Sequence, residues 1–230
     1  MNLPLRRRQR LSQELIPPML IAVLGTVGVI GLYLTRPGFR PLDLILLLLI
    51  VAFGALGYRQ RIVRGIMTIV VLYLATGAAA TLYRPAAPYA GILWRLLESI
   101  SSGQLLSQGA GAPSGENVDG DSLALSFCLL TVIVWIVVEA LIRASFRDTR
   151  LPGLGVLDNL GGTLAYLLAG LVVASLLFNA IGYGRLRRVH DQALLRPRFD
   201  QVVYIHYAAQ SFWFPKQPPP IYVYDLHLAP

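Results

Sequence analysis

The residues that could carry chemistry in this chain are polar side chains that interrupt or border long apolar runs. The candidate set is Asp43, Glu139, Asp158, Asn159 and Asn179. A polar or ionisable side chain inside a lipid bilayer is costly, so it usually pairs with another polar group or marks an ion or proton path. We therefore treat these five as the candidate intramembrane polar residues.

The spacing of the three carboxylates favours structural partners. Glu139 precedes Arg143 by one helical turn, which is the favourable order for an i,i+4 ion pair. Asp43 and Asp158 stand at helix starts, where a carboxylate caps free N–H groups and complements the helix dipole. For Asp158, an ion pair with an arginine or a place along a polar path remains the alternative. A proton relay through Glu139 would need a second buried ionisable group, and only Asp43 and Asp158 are available.

No pattern in the sequence predicts catalysis, a cofactor or a metal ion. His190, His206 and His227 are too far apart for a compact metal motif. The single cysteine, Cys128, excludes an intrachain disulfide and a cysteine-based zinc site. The sequence has no phosphate-binding loop and no nucleophile elbow, so we do not expect an enzyme. Asn179, deep in the last apolar run, is expected to hydrogen-bond to another helix.

The composition is that of a membrane protein. Of 230 residues, 55% are hydrophobic and 14% are charged, and the mean hydropathy is +0.60. Soluble domains carry about 25% charged residues. The net charge is +8, and all but one of the 20 basic residues are arginines, most of which border apolar runs. This placement is typical of charges that set membrane topology, so we predict an all-α, multi-pass transmembrane bundle surrounded by lipid, with no nucleic-acid partner.

Five apolar runs are predicted to span the membrane. They are residues 15–35, 44–58, 66–83, 123–138 and 160–184. The first run resembles a signal peptide, but no small-residue cleavage site follows it, so we interpret it as a retained helix. The predicted domains are 1–38, a basic N-terminus with an extra helix; 39–184, a four-helix membrane core with a flexible loop at 101–121; and 185–230, an extramembrane tail.

Arginine positions predict the orientation of the chain. Cytoplasmic ends of membrane helices carry an excess of arginine and lysine. With the N-terminus in the cytoplasm, the arginines within 6–10, 59–64 and 143–150 lie inside, and those within 36–40, 84–95 and 185–188 lie outside. The inner group is the larger, so we expect a cytoplasmic N-terminus and an extracytoplasmic tail.

Small residues recur along the start of the last apolar run. They are Gly161, Gly162, Ala165, Ala169 and Gly170. At helical spacing they form a thin face, and faces of this kind allow two transmembrane helices to approach closely. We predict that this face packs against another helix.

Two blocks of the sequence together resemble the colicin V production protein family. The first block, residues 42–83, has an early acid at Asp43 and a basic turn that begins at Arg59. The second, residues 123–183, contains the start of the last span, Asp158 followed by Gly162. The resemblance implies a four-span core in a bacterial inner-membrane protein linked to envelope function or colicin V secretion. It implies no catalytic residues.

The chain departs from this family's pattern at three positions. The family usually has a glycine in the basic turn where Arg61 stands, and often an acid where Gly65 stands. Its middle glycine in the last span corresponds to Tyr166. The N-terminal residues 1–38, the linker around residues 101–121 and the tail after 185 have no clear counterpart.

Aromatic residues and prolines are concentrated in the tail. The candidate docking residues are Tyr204, Tyr207, Phe212, Trp213 and Phe214. Aromatic side chains suit both protein interfaces and the membrane surface, so the tail could cover another membrane-protein subunit, the lipid surface or the protein's own helices. A short strand at 201–207 that joins a partner sheet is a further option. The tail is otherwise expected to be irregular, and deletion of residues 199–230 to leave the five spans folded.

These observations favour a non-enzymatic scaffold or assembly factor in the bacterial cytoplasmic membrane. One alternative is an accessory subunit of a large respiratory or photosynthetic complex. Another is a transporter for a small solute or ion, although the spans are poor in the polar residues that a shared cavity needs. A membrane enzyme is the least favoured class. The sequence does not decide between a monomer and a homo-oligomer.

Overall fold

The computed structural model describes residues 3–101, 120–145, 151, 153–183, 187–213 and 219–222. The helices are α1 (Leu3–Thr35), α2 (Pro41–Ser101), α3 (Gly120–Ser145), α4 (Val156–Ile181), α5 (Arg187–Asp191) and α6 (Arg196–Gln210). Two short 3₁₀ turns follow, Ser211–Trp213 and Pro220–Tyr222. No strand occurs in these ranges, and the all-α fold class is confirmed. The predicted flexible loop lies mostly at 102–119, outside the described residues.

Four helices are long and apolar enough to cross a membrane. The qualifying segments are Ile16–Thr35, Pro41–Ala90, Ser122–Ser145 and Val156–Ile181. The first has 20 residues, which at about 1.5 Å per residue matches a hydrocarbon core of about 30 Å. The second has 50 residues, which is more than twice the length that one crossing needs. The protein is therefore a multi-pass transmembrane helical bundle.

The helix α2 consists of two limbs that meet at Arg61. The backbone there has φ 68° and ψ 172°, far from helical values, and separates a first limb, residues 41–60, from a second limb, residues 62–101. Both limbs lie along α4. The first limb contacts α4 in reverse order, since Leu42 packs near Phe178 whereas Ile62, just past the break, meets Asp158.

The second limb runs parallel to α4, because successive residues of the limb contact successive residues of α4. Gly65 lies against Ala165, and Ala80 packs in one cluster with Leu176. The two limbs are therefore antiparallel, and the chain reverses at the arginine-rich turn that the sequence placed between its second and third apolar runs. The helix α3 returns along the second limb, because Ser126 Oγ donates to the Tyr83 carbonyl at 2.7 Å near its start.

The N-terminal helix α1 is a peripheral addition to this bundle. It packs on the first limb of α2, where Gly25 lies against Val51. Its other faces are apolar and exposed, as at Leu20, Leu24 and Val27. Such a surface suits contact with lipid.

The C-terminal region is more ordered than the sequence predicts. The expected irregular stretch contains α6, a helix of 15 residues, and the suggested strand at 201–207 is wrong because those residues lie inside it. The physical reason is packing, since α6 buries Phe199, Val203 and Gln210 against the bundle. These three positions recur at helical spacing, so the helix forms where its buried face finds a partner.

Candidate functional site

The small-residue face of α4 is in close contact with α2. A Cβ atom added to Gly162 would lie 2.5 Å from both the Gly57 carbonyl oxygen and the Arg61 carbonyl carbon. One added to Gly170 would lie 2.7 Å from Phe53 Cβ. Further along the same face, Ala169 is fully buried. The predicted packing face thus meets the two limbs of α2, with the closest approach at the chain reversal.

Asp158 caps a helix at this crossing, but the helix is not its own. Its Oδ1 accepts a hydrogen bond from Ile62 N at 3.1 Å, at the start of the second limb of α2. Its Oδ2 lies 3.7 Å from Arg61 Nη1 and accepts a long bond of 3.5 Å from Leu151 N. The N-cap of α4 is Gly155, which makes no side-chain cap. Capping and ion pairing, given as alternatives from the sequence, therefore occur together.

Glu139 forms a polar cluster with residues of its own helix and of two other helices. Arg143 Nε donates to Glu139 Oε1 at 3.0 Å, which is the i,i+4 pair expected from the spacing. Arg64 Nε, on the second limb of α2, lies 3.9 Å from the same oxygen. Thr68 donates to Glu139 Oε2 at 3.4 Å, and the Tyr166 hydroxyl of α4 lies 3.1 Å from Thr68 Oγ1. The cluster joins α3, α2 and α4.

Arg64, Thr68 and Tyr166 were not predicted from the sequence as members of this cluster. Tyr166 was identified there only as the residue at the family's middle glycine. The available signal was the spacing of Arg64 and Thr68, which lie one helical turn apart at the start of the third apolar run.

Asp43 joins the start of α2 to the C-terminal region. It is fully buried, and its carboxylate accepts three backbone hydrogen bonds. The donors are Arg40 N at 2.9 Å, Leu194 N at 3.0 Å and Leu195 N at 3.0 Å. The first bond is the helix-start role expected from the sequence. The other two connect residues far apart in sequence and fix the segment that leads into α6.

A second polar network fixes α6 on the second limb of α2. Gln210 Nε2 donates to the Tyr73 carbonyl at 2.7 Å and contacts Thr76 Oγ1, and Tyr222 O–H donates to Gln210 Oε1 at 3.1 Å. His206 Nε2 lies 3.2 Å from Thr76 Oγ1. Burial lowers the pKa of His206 to about 4, so the imidazole is neutral at neutral pH. The network therefore consists of neutral groups.

The predicted docking residues fall into two groups. Tyr204 and Phe212 are largely exposed. Tyr207 packs against a core cluster of the protein, and the Trp213 ring lies over Gly77, where an added Cβ would be 2.7 Å from Trp213 Cε2. Phe214 lies outside the described residues.

Asn159 and Asn179 both take part in hydrogen bonds within α4, Asn159 through its backbone carbonyl and Asn179 through its side-chain amide. The carbonyl of Asn159, which is half-buried, accepts a hydrogen bond from Thr163 Oγ1 at 3.1 Å. The buried Asn179 side chain donates to the Ser175 carbonyl at 3.1 Å, one turn earlier in the same helix. The hydrogen bond between helices that we expected for Asn179 is therefore wrong, because the backbone of its own helix supplies the acceptor.

His190 and His206, the two histidines within the described residues, do not converge on a metal site. Within the described part of the chain, no group of three or more His, Cys, Asp and Glu side chains could hold a metal ion. His190 is buried and stacks on Phe178, with the ring centroids 4.2 Å apart. His227 lies outside the described residues.

A comparison with protein families identifies this architecture. The family model described as colicin V production protein matches residues 42–203. The chain belongs to this family. The match to the colicin V production family begins in the first turn of α2 and ends within α6, so it includes Asp43, Glu139 and Asp158 and leaves out α1. Because it extends to residue 203, the expectation that the tail after 185 has no counterpart is wrong for the first part of the tail. No curated protein and no solved structure matches the chain.

Arg61 stands at the chain reversal, in the turn where the resemblance described above implies a glycine, and its backbone conformation favours glycine. Its φ of 68° with ψ of 172° lies in a region almost confined to glycine, which costs another residue about 1–3 kcal/mol. Such strain persists only where the surroundings hold it. Here Asp158 binds both the Arg61 side chain and the next backbone N–H.

Arg61→Gly is therefore expected to raise stability by about 1 kcal/mol, because relief of strain exceeds the loss of a long, partly exposed ion pair. Arg61→Ala is the matched control, since it also removes the ion pair but keeps the strained backbone. It should lower the thermal midpoint in detergent. Equal midpoints for the two variants would contradict the strain argument.

Proposed function

We propose that this protein is a non-enzymatic scaffold or assembly factor in the bacterial cytoplasmic membrane, and that other membrane-protein subunits bind to the exposed face of α6. The observation that carries the proposal is a stripe of exposed side chains on that helix and on the 3₁₀ turn that follows it. Tyr204, Ile205 and Ala208 are exposed on α6, and Phe212 is exposed in the turn, which gives this segment an apolar outer face. Aromatic side chains on a fixed base are frequent anchors of protein interfaces.

The inner face of α6 makes this stripe a fixed surface. Phe199 and Val203 belong to two core clusters, and the buried Gln210 closes the far end of the helix. Pre-ordered side chains lose less entropy on binding than mobile ones. A helix held in this way suits the docking of a partner.

The partners of the intramembrane carboxylates also favour a scaffold over a transporter. Asp43 and Asp158 bind backbone N–H groups that lie far from them in sequence. Glu139 binds Arg143 and Thr68. All three carboxylates hold elements of the fold together, which is an architectural use of costly groups.

The double substitution Tyr204→Ser with Phe212→Ser tests the docking surface. Loss of two aromatic anchors, each contributing at least about 1 kcal/mol, should reduce co-purifying subunits about tenfold or more. Crosslinking in native membranes, followed by detergent extraction and native mass measurement, would detect this loss. Tyr89→Ser is the matched control, because Tyr89 is an exposed aromatic residue on α2. Retention of every companion by the double variant would contradict the proposal.

We also propose that the N-terminus is cytoplasmic and that α6 lies on the extracytoplasmic side, following the arginine distribution. A cysteine introduced at the exposed Ser211, after replacement of Cys128, should react with an impermeant reagent from the outer face. Reaction from the cytoplasmic face alone would reverse the assignment.

A further inference from the structure

The guanidinium group of Arg64 has an unpaired edge in the interior of the bundle. Its side chain is 12% exposed, and its Nε and Nη2 are both shielded from solvent without a hydrogen-bond partner. These two nitrogens point to the same side of the planar guanidinium. That edge binds carboxylate and phosphate groups through two parallel hydrogen bonds.

The charges around this edge leave a positive surplus. The nearest anion is Glu139, whose Oε1 lies 3.9 Å from Arg64 Nε but only 3.0 Å from Arg143 Nε. Its Oε2 accepts the bond from Thr68. One carboxylate therefore faces two guanidinium groups, which leaves a net charge of about +1 in this cluster. A surplus charge is costly in a membrane interior unless an anion balances it.

Hydrogen-bond donors are also in surplus on the facing helix. Trp135 and Thr131 lie one and two turns before Glu139 on α3, on the same side of the helix. Trp135 Nε1 and Thr131 Oγ1 are buried without a partner. Buried polar groups normally find partners, so this interior needs acceptor oxygens.

We propose that Arg64 binds a singly charged oxyanion of the phosphate type between α2 and α3, with Arg143 as the outer contact. A single negative charge balances the cluster, and two of its oxygens fit the Nε–Nη2 edge. Arg143 is 56% exposed, so it provides a contact for an anion that enters from outside the bundle. The anion has two possible sources: the phosphodiester of an anionic lipid headgroup and free inorganic phosphate. The site is independent of the proposed scaffold role.

Binding to the purified full-length protein in detergent tests the site. The probes are phosphatidylglycerol, inorganic phosphate, and diacylglycerol as the lipid that lacks phosphate. Native mass measurement should show one saturable adduct with phosphatidylglycerol or with phosphate, and none with diacylglycerol. An adduct with the lipid alone identifies a headgroup site, and an adduct with phosphate alone identifies a free-anion site. Absence of both adducts, or an equal response to diacylglycerol, would overturn the proposal.

Two variants separate this site from nonspecific attraction. Arg64→Lys keeps the charge but loses the two-pronged edge, so the dissociation constant should rise about tenfold or more. Arg59→Lys, at an exposed arginine of the same turn, should bind like the wild type. If both variants weaken binding equally, only diffuse charge is involved and the assignment to Arg64 fails.

The Glu139→Gln variant tests whether the Glu139 carboxylate itself binds the Nε–Nη2 edge of Arg64. This test remains valid even if Arg64→Lys does not fold. Since the substitution removes the competing carboxylate, binding should persist or tighten. If the adduct forms only in Glu139→Gln and never in the wild type, Glu139 fills the edge in the native protein and the proposal is wrong.

Discussion

Gly162→Ala is expected to lower the free energy of unfolding by about 3 kcal/mol or more, a large effect for one added methyl group. The new Cβ would lie 2.5 Å from the Gly57 carbonyl oxygen, 2.5 Å from Arg61 C and 2.6 Å from Arg61 Cα. All three are backbone atoms, which cannot rotate away. Overpacking typically costs about 1–3 kcal/mol, and separating α4 from the turn would also stretch the bond from Ile62 N to Asp158.

The neighbouring glycine supplies the control for this prediction. The three atoms nearest to a Cβ at Gly161 would all belong to the Ile62 side chain: Cδ1 at 2.6 Å and Cγ1 at 3.0 Å, which a change of rotamer can move, and Cβ at 3.1 Å, which needs a shift of only a few tenths of an ångström. Gly161→Ala should therefore cost less than about 1 kcal/mol, and Leu164→Ala on the exposed face should also be mild. Thermal unfolding in one detergent compares the three variants. Similar midpoints for Gly161→Ala and Gly162→Ala would show that the crossing at Arg61 is not close-packed.

Much of the membrane core could be predicted because local physical signals specify it. Long uncharged runs indicate spans, since lipid excludes unpaired polar groups. The row from Gly161 to Gly170 indicated a close helix contact because small residues at helical spacing leave room for a backbone. The spacing of Glu139 and Arg143 specified their ion pair in the same way. Each of these signals lies within one helix.

The partners across the fold could not be predicted, because they depend on which helices meet. Asp158 stands at the start of α4, so its own helix was the natural candidate for capping, yet the reversal at Arg61 brings the start of another limb to it. Asn179 was expected to hydrogen-bond to another helix, but its side chain donates to the Ser175 carbonyl of α4. Neither outcome is encoded in the local sequence.

The structure of the C-terminal region also depends on contacts that the local sequence does not specify. Aromatic and proline residues favoured an irregular tail, whereas contact with the bundle orders α6. Since Val203, Ile221 and Tyr222 lie in a core cluster with Ala80 and Phe127, the tail is part of the fold. Deletion of residues 199–230 should therefore expose that cluster, in contrast to the separable tail expected from the sequence. The burial of one face of α6 against the bundle outweighed the low helix propensity of its aromatic residues.

Asp43→Ala is expected to detach this region from the start of α2 and to destabilise the protein by about 3 kcal/mol. The carboxylate accepts hydrogen bonds from the backbone N–H groups of Arg40, Leu194 and Leu195. Bonds to charged groups contribute roughly 1.5–3 kcal/mol each. The expected loss lies below the summed range of about 4.5–9 kcal/mol for three such bonds, because Arg40 and Leu194 are exposed residues whose N–H groups can bind water instead. Asp43→Asn keeps one acceptor oxygen and should fall between alanine and the wild type.

Limited trypsin digestion separates local release from global unfolding in this variant. Arg198 lies in the first turn of α6 and is cleavable only when that turn opens, whereas the bond after Arg196 precedes Pro197 and resists trypsin. In Asp43→Ala, cleavage after Arg198 should accelerate well before the transmembrane helices unfold on heating, since the lost bonds hold the segment that leads into α6. Leu194→Ala is the control, because it keeps the backbone N–H that binds Asp43 and changes only an exposed side chain. Unchanged cleavage in Asp43→Ala would mean that the Gln210 network alone holds α6 in place.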